Sequence, residues 1–270
     1  MGRMTTPPLQ DRLPVLERQD RVLRLRLRDA ARRNALTEEA LGALRAAIDE
    51  ASRSDATVVV VTGDGPAFCA GFDLARCADE PRAVEPLLEG LSDCVAGLRA
   101  IDAPVVARVQ GAALAGGCAL LTGCDFVVVA EDAQLGYPTH RIGISPAVSI
   151  PTLLSRTGPA ARALLLSNEI VDGRTAHARG LATHCVESAA LDGAVEALVS
   201  RLVANGPVAM RETKRWIREI ERRGAGASGP ARGIDEASIG AARDASLALA
   251  AGDEFATMLR AFWAARREAR

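Results

Sequence analysis

The hydrophobic positions of the chain form two kinds of short run that predict β-strands. From Val22 to Leu27, apolar residues alternate with arginines, which indicates a strand with one buried face. Other runs are continuously apolar, as is typical of strands buried on both faces. These runs begin near Val58, Val105 and Phe126, and a shorter strand is predicted near Ala133.

Helical periodicity fills the segments between the predicted strands. Thr37 precedes an amphipathic stretch that continues to about Ser52, and its hydroxyl can cap that helix. A second helix is predicted from about residue 82 to residue 100. After Ser145 the spacing of apolar residues is mostly helical.

The same patterns set the predicted fold class and domain boundaries. Strands alternate with helices up to about residue 140, which favours an α/β fold. We expect a flexible N-terminal arm over residues 1–20, a core domain over residues 21–200 and a helical C-terminal segment over residues 201–270.

Composition and charge argue against several classes of protein. Hydrophobic residues make up 49% of the chain and the formal net charge is -1. We therefore expect no nucleic-acid partner, and no apolar run is long enough for a membrane span. The N-terminal residues lack the apolar segment of a secretory signal, so the expected location is the cytoplasm. The six cysteines and three histidines show no metal-ligand spacing, and we expect no metal site.

The stretch GAALAGGCALLTGCD, residues 111–125, is rich in glycine, yet residues 111–124 contain no Asp, Glu, His, Lys or Arg. A dinucleotide site is not supported, because Phe68 stands where the preceding loop would need glycine, and a P-loop lysine is absent. Two interpretations stay open. The glycines allow tight strand–helix packing, or they form an oxyanion hole in which backbone N–H groups from two loops polarise a carbonyl.

Four segments, in their order and spacing, closely resemble the crotonase superfamily, also called the enoyl-CoA hydratase/isomerase family. They are NAL at 34–36, VVVVTGDGPAFCAGFDL at 58–74, PVVARVQGAALAGGCALLTGCD at 104–125 and AQLGYPTHRIGISP at 133–146. A fifth segment, GRTAHARGLATHCVE at 173–187, is similar to the part of the family sequence that follows, where a helix ends in Gly-Leu and the chain returns as a strand. The resemblance extends over about residues 25–260.

The resemblance implies a crotonase-like spiral of ββα turns and a helical C-terminal region used for trimerisation. It implies an acyl-CoA thioester as ligand, no separate cofactor, and assembly as a homotrimer or a dimer of trimers. The two oxyanion donors would be the backbone N–H groups of Phe72 and Gly116. The positions that match the family's CoA path are Arg33, Ala35, Ala70, Asp73, Leu74, Phe262 and Arg266.

The chain departs from the family pattern at the two positions where hydratases carry catalytic glutamates. Ala119 and Thr139 stand there instead. Hydration needs one group that activates water and another that handles the proton at the α-carbon. Alanine has no ionisable group, and threonine is a poor base without an adjacent activator.

Four nearby side chains are candidate replacements. His140 is a candidate because histidine is a common acid or base in enzymes, but it would point away if Thr139 faced inward from an extended segment. Tyr137 could act as an acid or a hydrogen-bond donor, or it is simply a packing aromatic. Glu85 and Glu89 follow the first oxyanion loop, where they serve the site or belong to a solvated helix face.

Two classes of function agree with this sequence. The first is an acyl-CoA lyase or isomerase, of the kind used in fatty acid metabolism, that stabilises an enolate with a non-standard acid or base. The second is a non-catalytic acyl-CoA binding protein that has kept the thioester site. A standard enoyl-CoA hydratase is the less favoured interpretation, because both carboxylates are missing.

Overall fold

The computed structural model describes residues 8–75, 77, 79–225, 236–250 and 252–268 of the chain. In these ranges the strands are β1 (Val15–Gln19), β2 (Val22–Leu27), β3 (Val58–Gly63), β4 (Val105–Val109), β5 (Ala112–Leu114), β6 (Phe126–Ala130), β7 (Gln134–Gly136), β8 (Ile170–Asp172) and β9 (His184–Val186). The helices are α1 (Glu38–Ser52), α2 (Val84–Ala100), α3 (Gly116–Leu121), α4 (Ile150–Thr157), α5 (Ala160–Ser167), α6 (Gly173–Ala178), α7 (Leu191–Val203), α8 (Pro207–Ala225), α9 (Glu236–Ala250) and α10 (Asp253–Glu268).

The strands form two sheets, one with the order β1-β2-β3-β4-β6-β9 and one with the order β5-β7-β8. In the large sheet, β1 runs antiparallel to β2, and every later neighbour pairs in parallel. Parallel neighbours need long crossover connections, which α1 supplies between β2 and β3 and α2 supplies between β3 and β4. The predicted α/β class is confirmed.

The apolar patterns are buried as the sequence indicates. Leu23, Leu25 and Leu27 are at most 3% exposed, and the arginines between them are partly exposed. The four valines of Val58–Val61 are at most 1% exposed, as expected for a strand covered on both faces.

The two long helices of the core begin and pack as local signals indicate. The Thr37 hydroxyl accepts a hydrogen bond from the Ala40 N–H at 3.1 Å, so the predicted cap of α1 is confirmed. A 3-10 turn over Pro81–Ala83 precedes α2. The Cys94 thiol of α2 lies 3.6 Å from the Leu41 carbonyl of α1, so these two helices are in close contact.

The predicted flexible arm over residues 1–20 is wrong in its second half. Leu9–Arg12 form a 3-10 helix, and Val15–Gln19 form β1, which pairs with β2 along its whole length. The sequence pattern missed β1 because this edge strand is half-buried at its first two residues and exposed beyond them. Hydrogen bonding to β2, more than apolar burial, holds it. Residues 1–7 lie outside the described part of the chain.

The region after Ser145 is not helical throughout. The strands β8 and β9 interrupt the helices, and each has only three residues. They pair with β7 and β6 respectively, over long separations in sequence. Segments this short carry no readable periodicity, so only their distant partners define them.

The chain divides into two compact units, the first ending at Leu202 and the second starting at Val203. The second unit contains α8, α9 and α10. Within it, the Glu254 carboxylate of α10 accepts hydrogen bonds from the Val208 and Ala209 N–H groups at 2.9 Å each. This carboxylate caps the N-terminus of α8, where the helix leaves N–H groups unpaired.

Candidate active site

Two loops meet beside the ends of the parallel strands β3 and β4. The first follows β3, and the second runs from β5 into α3. Cys69 of the first loop pairs with Ala113 of the second. The Cys69 N–H donates to the Ala112 carbonyl, and the Leu114 N–H donates to the Cys69 carbonyl, each at 3.0 Å. These bonds fix the relative position of the loops.

The Asn34 side chain holds the first loop through hydrogen bonds to its backbone carbonyl oxygens. Its amide nitrogen lies 2.9 Å from the carbonyl oxygens of Asp64 and Ala67 and 3.1 Å from that of Phe68. Asn34 is 2% exposed and has a left-handed backbone, with φ 55°. Nothing in the sequence alone identifies this role, because the acceptors follow 30 to 34 residues later.

The N–H groups of Phe72 and Gly116 are both free to meet a ligand. Phe72 forms a β-bridge with Leu36, in which Leu36 donates to Gly71 at 2.8 Å and accepts from Asp73 at 2.9 Å. Because N–H groups alternate along an extended backbone, that of Phe72 faces away from Leu36. Within the described ranges, neither N–H donates to a protein acceptor.

Close packing of the two loops explains why residue 117 is a glycine and accompanies an unusual backbone conformation at Ala115. A β-carbon on Gly117 would lie 2.2 Å from the Cys69 carbonyl oxygen, so only glycine fits there. Ala115 has φ 48° and ψ -111°, a strained conformation for a residue with a side chain. Such strain costs about 1–3 kcal/mol and concentrates at functional sites. Tight packing and a free N–H thus occur together in this stretch.

A cavity of about 190 Å³ lies beside these N–H groups. In the part of the chain that the structure describes, its lining contains no Asp, Glu, His, Lys or Arg. The lining residues are Ala70, Phe72, Leu74, Leu88, Leu91, Ala115, Gly116, Ala119, Tyr137, Pro138, Thr139, Ile142, Ile144, Ser145, Pro146, Val148 and Ser149.

The two positions that resemble the family's glutamate positions both line this cavity. Ala119 is 1% exposed and lies one turn after Gly116 in α3, and Thr139 is 9% exposed. Thr139 lies in a 3-10 helix, Pro138–Ile142, and not in an extended segment, so the condition considered for an outward-pointing His140 is not met. Proline suits a first helical turn, since its fixed φ is helical and its missing N–H is not needed there.

Tyr137 is buried in the wall of the cavity and is 1% exposed. Burial raises the pKa of its hydroxyl well above the usual range, and the Cys118 thiol adds to this rise. The Ser149 side chain opposes the shift, but no described group meets the geometry of a hydrogen bond to the Tyr137 hydroxyl. Such a hydroxyl stays protonated and covered, which favours a packing role over an acid.

His140 lies outside the cavity lining and is exposed. Its ring Nδ1 is 3.2 Å from the Asn168 side-chain oxygen, and its backbone N–H donates to the same oxygen at 3.2 Å. Within the 3-10 turn, Thr139 lines the cavity and His140 is exposed, so the two side chains point in different directions. Its contacts match those of a surface histidine.

The two candidate glutamates of α2 also lie outside the lining. The Glu85 side chain is 61% exposed and lies 3.8 Å from the Arg82 guanidinium, and Glu89 is exposed. The α2 residues that reach the cavity are Leu88 and Leu91. These glutamates therefore match the interpretation of a solvated helix face.

The residues matched to the CoA path are only partly brought together. Ala70 and Leu74 line the cavity. The Ala70 N–H donates to the carbonyl of Arg33 at 3.0 Å, and Asp73 is paired with Arg32 at 2.9 Å. Ala35 lies in a separate, smaller hollow beside Arg32. Phe262 and Arg266 fall in α10, but their side chains lie outside the described residues.

Among the described residues, no cluster of three or more His, Cys, Asp or Glu side chains could hold a metal ion. None of the helices in the described ranges combines the length and the apolar character that a bilayer span requires.

Known proteins share this fold. The sequence pattern of the enoyl-CoA hydratase/isomerase family matches residues 17–225. The 2,3-dehydroadipyl-CoA hydratase of Escherichia coli is 33% identical over 77% of this chain and 82% of that protein. The crotonyl-CoA hydratase of Syntrophomonas wolfei is 29% identical over 74% and 79%. The solved enoyl-CoA hydratase of Mycobacterium smegmatis has a TM-score of 0.82 and 29% identity, over 93% of this chain and 96% of that structure.

The fold and the paired loops define a crotonase-like α/β protein. The chain belongs to the enoyl-CoA hydratase/isomerase family.

Proposed function

We propose that this protein binds an acyl-CoA thioester with its carbonyl oxygen between the N–H groups of Phe72 and Gly116, without a separate cofactor. The observation that carries the proposal is that both N–H groups border one cavity and have no acceptor among the described residues. Fixed donors of this kind stabilise an enolate oxygen without rearrangement. Because they are backbone groups, they do not depend on any ionisable side chain.

The CoA part of the ligand is expected to follow the first loop. Arg33 is exposed and adjoins this loop through the hydrogen bond from Ala70. Its guanidinium is a suitable partner for phosphate. Ala35, Asp73, Phe262 and Arg266 remain predicted contacts, and the homotrimer or dimer of trimers and the cytoplasmic location remain predictions as well.

The proton chemistry is what separates the two classes of function. An enzyme needs a base within reach of the α-carbon. Within the described residues, the cavity lining offers no carboxylate, imidazole or amine. This observation supports the second candidate, a non-catalytic acyl-CoA binding protein, and makes hydration at ordinary rates the least supported activity.

Binding at the oxyanion hole is tested with two matched ligands, butyryl-CoA and the thioether butyl-CoA, by calorimetry. They differ only in the carbonyl oxygen. Two hydrogen bonds of about 0.5–1.5 kcal/mol each predict about 5- to 150-fold tighter binding of butyryl-CoA. Equal affinity contradicts the oxyanion hole, and no binding by a folded protein contradicts the proposed ligand.

Enzyme and binding protein are then distinguished by proton exchange. Butyryl-CoA is incubated with the protein in D2O, and deuterium at the α-carbon is followed by mass spectrometry. Exchange above the rate without protein identifies an enzyme that forms the enolate. Tight binding without exchange identifies the non-catalytic binding protein.

A further inference from the structure

Among the described residues, the inner wall of the cavity carries no charge with which to meet an ionic ligand group. Most of its side chains are apolar, and its polar side chains are hydroxyls. Thr139 and Tyr137 hold their hydroxyls covered, with no solvent-accessible surface and no hydrogen-bond partner in the described ranges. A carboxylate placed in this cavity would lose its water and find no cation, at a cost of several kcal/mol.

A half-buried cation lies near this wall, but it is engaged elsewhere. Arg156 interacts electrostatically with Tyr137. Its guanidinium donates a hydrogen bond to the Cys124 carbonyl. Arg156 is also absent from the lining of the cavity. It is therefore not placed to neutralise a ligand carboxylate.

The Phe72 ring narrows the cavity next to the oxyanion donors. A β-carbon on Gly116 would lie 3.4 Å from the Phe72 ring and 3.6 Å from the Leu91 side chain, so ring and glycine are in contact. The remaining volume is about 190 Å³. An apolar protein cavity of about 150 Å³ holds a benzene molecule. The space left beside Phe72 thus suits a short acyl chain.

We infer that the site selects a short, uncharged acyl group, with Phe72 setting the upper limit of its size. The inference rests on the proposed function, since it assumes that the acyl group enters this cavity. It distinguishes this protein from a relative such as the E. coli hydratase, whose name specifies a dicarboxylic acyl-CoA. It makes Phe72 a residue that determines specificity through its ring, in addition to its N–H.

The charge selection is tested on the unmodified protein with pentanoyl-CoA and glutaryl-CoA. These thioesters share a five-carbon chain and differ in a terminal carboxylate. Calorimetry is expected to show pentanoyl-CoA binding at least 100-fold more tightly, which corresponds to about 2.7 kcal/mol. Equal affinities overturn the inference and leave the proposed function intact. If neither ligand binds but the protein is folded, the proposed function itself fails.

The size limit is tested with Phe72→Ala, which removes the aromatic ring and keeps the backbone N–H. In the unmodified protein, decanoyl-CoA is expected to bind more weakly than butyryl-CoA. In the variant, the affinity for decanoyl-CoA relative to butyryl-CoA is expected to rise at least tenfold. Phe72→Leu, which removes less volume, should give an intermediate rise and also serves if the alanine variant does not fold.

The matched control is Leu166→Ala. Leu166 is also a large apolar residue, but it lies in α5 outside the cavity lining and is 69% exposed, so its truncation leaves the cavity unchanged. In this control variant, the affinity for decanoyl-CoA relative to butyryl-CoA should stay within about threefold of that of the unmodified protein. An unchanged ratio in the folded Phe72 variants, or a larger change in the control, assigns the size limit to another residue and overturns this part of the inference.

Discussion

Gly71 and Gly116 approach so closely that a β-carbon on Gly71 would lie 3.7 Å from the Gly116 nitrogen. The loop that presents the Phe72 N–H therefore touches the start of α3, which presents the second donor. Gly71 has φ 96°, a conformation that side chains rarely adopt. The distance between the donors is thus set by packing of backbone against backbone, with little freedom for the two loops to drift apart.

This packing predicts that Gly117→Ala is destabilising. The new β-carbon would meet the Cys69 carbonyl oxygen at 2.2 Å, so the two loops must separate. We expect a loss of roughly 3 kcal/mol in the free energy of unfolding, measured by urea denaturation. The control is Gly42→Ala in α1, where nothing lies within 4 Å. It should stabilise the protein by about 0.5–1 kcal/mol. Equal effects of the two substitutions would contradict this account.

A second prediction concerns the Asn34 side chain, which donates to three carbonyl oxygens of the first loop. Asn34→Ala leaves these buried acceptors without their donor and should cost roughly 2–3 kcal/mol in unfolding free energy. It should also weaken butyryl-CoA binding, because the loop carries Phe72. Thermal and urea unfolding, with calorimetry, provide the measurements.

Asn168→Ala is the control for Asn34. Asn168 also has a left-handed backbone, with φ 54°, but its side chain bonds only to the exposed His140 among the described residues. The free energy of unfolding of Asn168→Ala should fall by about 1 kcal/mol, which is the backbone cost of alanine in the left-handed conformation. Its affinity for butyryl-CoA should not change. If both asparagines behave alike, the amide of Asn34 does not organise the site.

The third prediction concerns thiol reactivity. Burial raises the pKa of Cys69, Cys94 and Cys118 to about 12. At pH 8 these groups stay in the unreactive thiol form and are shielded from solvent. Ellman's reagent should therefore modify the half-exposed Cys77 and Cys185 first.

Unfolding provides the control for thiol reactivity. In denaturant all six cysteines should react within the mixing time, because their ordinary pKa values and full exposure return. Fast reaction of more than two thiols in the folded protein would show that the core around the site opens readily. The reaction is measured at pH 8 because this pH lies far below the raised pKa values of the three buried thiols.

The sequence predicted those parts of the fold whose signals are local. The alternating residues of Val22–Leu27 and the continuous valines of β3 are buried as their patterns predicted, on one face of β2 and on both faces of β3. The strand β8 was missed because three residues carry no period and long-range pairing defines it. The equally short β9 was expected only from the family resemblance of residues 173–187. The turn at Pro138 was missed because helical and extended backbones are both compatible with proline.

For the candidate site, the sequence identified individual residues, and the structure showed which of them line a common cavity. The resemblance identified Phe72, Gly116, Ala119 and Thr139, all of which line one cavity. The wall from Ile142 to Ser149 had no assigned role, since its apolar residues resemble those of any core segment. The exclusion of Glu85 follows from the rotation of α2, which buries Leu87 and Leu91 and leaves Glu85 exposed.

The last prediction concerns hydration of crotonyl-CoA. Loss of one positioned acid or base removes about 10²–10⁴ in rate, and two groups that act together are not additive. With Ala119 and Thr139 at the two positions, we expect turnover far below the common value of about 10 s⁻¹. The rate is followed as loss of the enoyl absorbance, with butyryl-CoA binding as the control for an intact site.

Restoring the carboxylates provides the converse test. Ala119→Glu and Thr139→Glu together should raise the hydration rate more than either change alone, because one group activates water and the other handles the α-proton. Ala119→Gln with Thr139→Gln matches their size without the charge and should give no increase. Both side chains enter the cavity that the Phe72 ring narrows, so adding Phe72→Ala to the double glutamate should raise the rate further. Turnover near 10 s⁻¹ by the unmodified protein would contradict this account, since another residue would then supply the proton chemistry.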